Sequence, residues 1–151
     1  MRNLWCLLII GLGLAADQFS KLWVVVKLPL GGVVELLPVL RLHHVQNTGA
    51  AWSMFANSTL GLAVFSAVLA GLLGFWLYKT EASQSGQRWA LSLIIGGALG
   101  NMLDRFRLGY VVDFLELPHW PIFNVADILL CCGVGLLALC LLLEERGGKS
   151  R

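Results

Sequence analysis

The sequence predicts an all-α membrane protein: four transmembrane helices with a small extracytoplasmic β segment, forming one integral membrane domain over residues 1–151. Three observations predict it. Only 13% of the 151 residues are charged and 58% are hydrophobic, about half the charge density of an average soluble domain. The apolar residues gather into four runs close to spanning length. The one sizeable stretch between them, 28–57, has the β-branched, Pro- and Gly-punctuated composition of short strands.

The first span is placed at about 4–26, apolar apart from Asp17 and Lys21. These two stand four apart in the acid-first order that favours a helical ion pair. Arg2, the run LWCLLIIGLGL and Ala15-Ala16 also match the layout of a secretory signal peptide. The apolar run resumes at Phe19 and continues to Val26, which favours a retained helix. Between 28 and 57, Pro29, Gly31, Gly32 and Pro38 bound VVELL and VLRLHHV, expected as a small sheet on the outer leaflet. A short interfacial piece with Trp52, Met54 and Phe55 follows. Asn57-Ser58-Thr59 matches a glycosylation sequon and is assigned as the cap of the second span.

The second span, about 59–78, has no charge in 20 residues. The third, about 89–108, reaches spanning length only if Asp104 and Arg105 are included. The fourth, about 122–143, is interrupted by Asp127 alone. Between the last two, VVDFLEL is an extended, β-branched stretch that carries Asp113 back toward the bundle, with Glu116 in the solvated outer loop. Gly96 and Gly100 form a small-xxx-small pair, a mark of close helix approach.

A net charge of +2 is too small to imply a nucleic-acid partner. Cys6, Cys131, Cys132 and Cys140 all fall within spans, and the adjacent pair suits neither a redox motif nor a metal knuckle. They are expected as small apolar packing residues. His43 and His44 point to opposite faces of a strand, and His119 stands apart, so no metal is expected. Short flanks carry six Lys and Arg on the side of the two termini and three on the other, which predicts cytoplasmic termini. Asp17 then lies about 20 Å along its helix from Leu4, in the outer half. Asp104, Asp113 and Asp127 fall on the same outer side.

A carboxylate at a span end is expensive to keep charged and is a functional-site candidate by default. Asn101 and Asn124 each precede such an Asp by three residues, one helical face apart. For Asp104 and Arg105 a structural ion pair is the expected role. Two carboxylates brought close in a low dielectric share one proton. The charged one can activate water while the protonated one polarises a carbonyl. Ser20, Ser53, Ser66 and Ser92 have no nearby histidine to activate them. A proton-coupled transporter would thread its carboxylates through the bilayer, and a scaffold would not need paired Asn-Asp motifs.

Four segments in order carry a resemblance: Asp17-Gln18-Phe19-Ser20-Lys21, Asn47-Thr48-Gly49-Ala50-Ala51-Trp52-Ser53, Gly96 through Phe114, and Phe123 through Asp127. The chain resembles the bacterial lipoprotein signal peptidase (signal peptidase II) family of membrane aspartic proteases. The resemblance implies four transmembrane helices with a small outer β-cradle. It also implies Asp113 and Asp127 as the catalytic pair, with Asp17, Lys21, Asn47, Gly49, Asn101, Asp104, Arg105 and Asn124 as supporting or substrate-binding positions. The implied substrate is a prolipoprotein cut before a diacylglyceryl-modified cysteine, with membrane lipid as the other partner, a monomer in the bacterial inner membrane, and no cofactor. Trp52, where Phe is more common, and the short ELPHWPI connection depart from the family pattern.

Overall fold

The structure, a computed structural model, describes residues 4–49 and 59–149, with side chains placed through 146. In chain order the elements are α1 (Leu4–Lys27), β1 (Val33–Leu37), β2 (Leu40–Asn47), α2 (Thr59–Lys79), α3 (Ser85–Leu108), β3 (Val111–Glu116) and α4 (Val125–Lys149). Helix α3 is the axis of the bundle. It packs against the other three helices, and 13 of its 24 residues are buried. Helix α2 is the opposite case: Ala63, Ala70 and Leu77 are its buried residues, while Leu60, Val68, Leu72 and Phe75 face outward. Water would penalise that apolar face; hydrocarbon does not. Among the described residues three helices, Leu4–Lys27, Thr59–Lys79 and Val125–Arg146, are long and apolar enough to cross a membrane.

The glycines of α3 set how closely its neighbours approach. Gly96 faces the Ile10 backbone of α1, Gly97 faces the Ala126 carbonyl of α4, and Gly100 faces the Asp17 carboxylate. The pair expected at Gly96 and Gly100 is therefore part of a longer small-residue stripe. At the end of α3, Gly109 adopts φ 80°, and its N–H donates to the Arg105 carbonyl at 3.2 Å. This left-handed cap disfavours side chains with a Cβ, and it releases the chain into β3 two residues later.

The three strands form an antiparallel sheet in the order β1-β2-β3. In β3, Val111, Val112, Asp113 and Phe114 are all buried. Val112 and Phe114 pack on Val24 and Leu42, which seats the sheet on the end of α1. Strand β2 pairs Val45 with Asp113 and Asn47 with Val111. Both the sheet within 28–57 and the return of VVDFLEL are present. Phe123 exchanges backbone hydrogen bonds with Leu115 at 2.8 and 3.0 Å, so α4 begins at Val125 rather than at 122.

Three expectations are corrected. Cys131 and Cys132 face outward from α4, and only Cys6 is fully buried in packing. Arg88, counted with the flanking charges, is buried: it donates to the Thr80 carbonyl at 3.1 Å and lies 5.4 Å over the Trp5 ring. Glu116 does not lie in a solvated loop but closes β3, accepting from Arg41 at 2.8 Å with His43 at 3.1 Å. Trp52, Met54, Phe55 and the Asn57-Ser58 part of the expected cap lie outside the described residues.

Candidate active site

The site is built in two linked layers. The lower one centres on Lys21, which is 3% exposed. Its Nζ lies 2.8 Å from Asp17 Oδ2 and 2.9 Å from Asp104 Oδ2, and it donates to Asn101 Oδ1 at 3.0 Å. Asp17 Oδ1 accepts the Ala126 N–H at 2.8 Å, one of the amides that the first turn of a helix leaves free. Asp104 accepts from Gln18 Nε2 at 2.9 Å and from the Val112 N–H at 3.2 Å. Burying these ions costs several kcal/mol each, and the attraction and hydrogen bonds around Lys21 offset it. The layer ties α1, α3, β3 and the start of α4 into one unit.

The expected Asp104–Arg105 pair is not formed. Asp104 turns to Lys21 instead, because adjacent helical residues point about 100° apart. The Arg105 guanidinium donates to the carbonyls of Asn101 and Gly49, each at 3.4 Å. Its buried Nε has no partner among the described residues.

The upper layer is organised by two asparagines. Asn101 Oδ1 accepts from Lys21 and from Asn124 Nδ2, the latter at 3.0 Å. The opposite end of that amide must then be the donor, and it reaches Asp127 Oδ1 at 2.8 Å. Asn124 and Asp127 exchange side-chain and backbone bonds: Asp127 N–H donates to Asn124 Oδ1 at 3.0 Å, and Asn124 N–H to Asp127 Oδ2 at 3.1 Å. This is a capping box at the start of α4, with Asp in the place more often held by Glu. The Nδ2 of the same Asn124 donates to Asp113 Oδ1 at 2.7 Å. The other oxygen of Asp113 accepts from Asn47 Nδ2 at 2.8 Å, and Asn47 is itself held by the Gly49 N–H at 3.0 Å. Burial pushes the Asp113 carboxyl up to about 7; the Asn47 and Asn124 amides oppose this and the neighbouring Asp127 adds to it.

Both carboxylates open onto a cleft of about 970 Å³. Asn47, Asn101 and Arg105 also line it, and Leu62, Phe65 and Leu69 of α2 with Leu130 of α4 supply an apolar wall. All ten residues singled out in the sequence are brought into this network. Gln18 was missed as a participant, although an amide inside an apolar run is itself a signal. Trp120 and the positive-φ residue His119 (φ 61°) also line the cleft, and nothing in their sequence setting announced them.

A profile of the family described as Signal peptidase (SPase) II matches residues 9–143. A lipoprotein signal peptidase of Latilactobacillus sakei is 42% identical over 136 residues, covering 88% of this chain and 90% of the relative. One of Aeromonas hydrophila is 45% identical over 148 residues, covering 92% and 87%. A solved structure described as a bacterial membrane enzyme superposes with a TM-score of 0.91 at 29% identity, over 97% of this chain and 92% of the other. The extent of these matches and the buried Asn-Asp network agree: this chain belongs to the signal peptidase II family.

Proposed function

We propose that Asp113 and Asp127 are the catalytic pair of a membrane aspartic endopeptidase that removes signal peptides from diacylglyceryl-modified prolipoproteins, cutting before the lipidated cysteine. The family makes the chain a lipoprotein signal peptidase, and hence a hydrolase of a bacterial membrane. The observation that carries the residue assignment is the Asn124 side chain. Its Nδ2 donates to the Asp113 carboxylate and its Oδ1 accepts the Asp127 N–H, while the Asn124 backbone N–H donates to the Asp127 carboxylate, so that one residue ties the two aspartates together at the wall of a cleft lined by apolar helix faces.

With a carboxyl pushed up to about 7, Asp113 carries a proton in about half of the molecules at pH 7 and in more of them below it. It donates that proton to the oxygen of the scissile carbonyl. Asp127 takes a proton from water, whose oxygen adds to the carbonyl carbon. Collapse of the tetrahedral intermediate breaks the C–N bond, returns a proton to Asp113 and delivers one to the departing amine. Asn47, Asn101, Asn124 and Gly49 orient the pair, Arg105 lines the substrate side, and Asp17, Lys21 and Asp104 hold the frame.

The same reading makes α3 a fourth membrane span. Its polar residues Arg88, Asn101 and Asp104 are buried against protein, so they meet little lipid. Residues 1–151 then form a single monomeric domain in the cytoplasmic (inner) membrane, with cytoplasmic termini and the cleft toward the outer face. The test is the purified protein acting on one precursor with and without the lipid on its cysteine. Release of the signal peptide from the modified form alone supports the reading. Cleavage of neither form, by protein that is folded, overturns it.

A further inference from the structure

A second groove, about 200 Å³, lies on the outward side of α4 and is lined by Trp120, Phe123, Asp127, Ile128, Cys131 and Cys132. Three of these residues, Trp120, Phe123 and Asp127, also line the main cleft. Asp127 stands where the two faces of α4 meet. Leu130, three residues on, is on the cleft side, whereas Cys131, four residues on, is on the groove side. Asp127 thus stands where the main cleft and the side groove adjoin, with the two running along different faces of α4.

The geometry points to this side groove as the subsite for the acyl end of the substrate, taking the glyceryl carbons and first methylenes of the diacylglyceryl group. The inference rests on the proposed function and adds a place for the lipid. The thioether of the lipidated cysteine is only a few bonds from the scissile carbonyl, so its chains must leave the dyad through an apolar opening that starts there. The groove starts at Asp127 and leads to the exposed apolar side of α4, where Val134, Leu139 and Leu142 face outward. The main cleft, walled by α2, remains for the apolar signal segment. A volume of about 200 Å³ accommodates only the beginning of two chains, and their remainder runs into the bilayer along α4. Membrane phospholipid carries the same acyl chemistry but has no peptide to place it at Asp127.

The test fills the groove. Cys131→Trp and Cys132→Trp are compared with the parent and with Leu12→Trp, which adds a tryptophan at an outward position of α1 that lines neither the groove nor the cleft. Each cleaves a series of precursor peptides whose cysteine carries acyl chains of increasing length. The parent should gain kcat/KM over the first methylenes. The groove variants should lose about tenfold on long chains, the worth of about two buried methylenes, and show a flattened length dependence. Leu12→Trp should follow the parent. A parent-like length dependence in both groove variants overturns the subsite.

A second measurement stands even if the Trp variants fail to fold. Alkylation of Cys131 and Cys132 is followed in the Asp113→Asn protein, with Cys6 and Cys140 replaced by serine. A lipidated precursor peptide should slow alkylation, and the unlipidated peptide or equimolar phospholipid should not. Equal protection by phospholipid, or none by the lipidated peptide, overturns the proposal. A parent protein that cleaves no lipid-modified precursor is a different result, because it refutes the proposed function itself.

Discussion

Lys21→Met takes away the ammonium shared by two buried carboxylates and adds no cavity, since methionine has a similar length and an apolar body. Asp17 is 0% and Asp104 3% exposed, and Lys21 lies within 2.9 Å of each. Removing one partner of a buried ion pair costs about 3–5 kcal/mol, because it strands the opposite charge. The triple variant Asp17→Asn, Lys21→Met, Asp104→Asn removes all three charges together. Replacing a buried charged triad with neutral groups is often close to neutral in stability, and the amide oxygens can still accept from Ala126 N–H and Gln18. The triple variant should therefore recover most of what Lys21→Met loses. Asn101 keeps Asn124 as a donor but loses Lys21, which loosens the amide that orients Asp127. A displacement of that kind is worth about 100-fold in kcat. Denaturant unfolding in one detergent, followed by circular dichroism beside precursor cleavage, gives both readouts. A Lys21→Met protein as stable as the parent, or a triple variant less stable than Lys21→Met, would refute the electrostatic account of this layer.

Asp113 sets a pH dependence with a definite sign. Its carboxyl moves from an ordinary 3.8 up to about 7 on burial, so the fold favours the protonated form. Its stabilising contribution is complete below about pH 4 and is lost as pH rises through about 7; the parent's unfolding midpoint, taken relative to that of Asp113→Asn, should fall over that window, and turnover should decline above about pH 7. Gly97→Ala would drive a methyl into the Ala126 carbonyl and to 2.9 Å from Leu130 Cγ. It should cost about 1–3 kcal/mol despite the better helix propensity of alanine, and a thermal melt showing no loss would mean α3 and α4 are not so closely packed. Orientation is checked with single cysteines at Gly32 and Ser85 in a cysteine-free background. An impermeant thiol reagent should label Gly32→Cys but not Ser85→Cys in spheroplasts, and the reverse pattern would invert the topology.

Features that depend on local chemistry were legible in the sequence. The four long helices follow from apolar runs, the Asp17–Lys21 pair from helical spacing, and the Asn124–Asp127 association from the same three-residue rule that makes a capping box. Asp113 was legible as a carboxylate carried back to the bundle on a β-branched stretch. What was not legible depends on contacts between distant elements. Lys21 reaches Asp104, 83 positions away in the chain, and no local rule chooses it over the adjacent Arg105. Asn47 meets Asp113 because β2 pairs with β3 across a bulge between Leu42 and Val45, a register that the composition of 28–57 does not specify. The outward position of Cys131 and Cys132 depends on which face of α4 meets α3, and that face is set by Gly133 against Ala90 and Ile94.

The central claim is that Asp113 and Asp127 act as one unit, and cleavage of a lipid-modified prolipoprotein by Asp113→Asn, Asp127→Asn and the double variant tests it most directly. Asparagine keeps the size and can still hydrogen-bond, but it can be neither base nor proton donor. Each single variant should lose nearly all activity, the double variant should be little worse, and all three should stay folded by circular dichroism and purified yield. Glu116→Gln, on the same strand but bonded to Arg41 and His43 rather than to the pair, should retain activity. Substantial cleavage by a folded Asp113→Asn or Asp127→Asn protein, or a folded Glu116→Gln protein that does not cleave, would contradict the assignment.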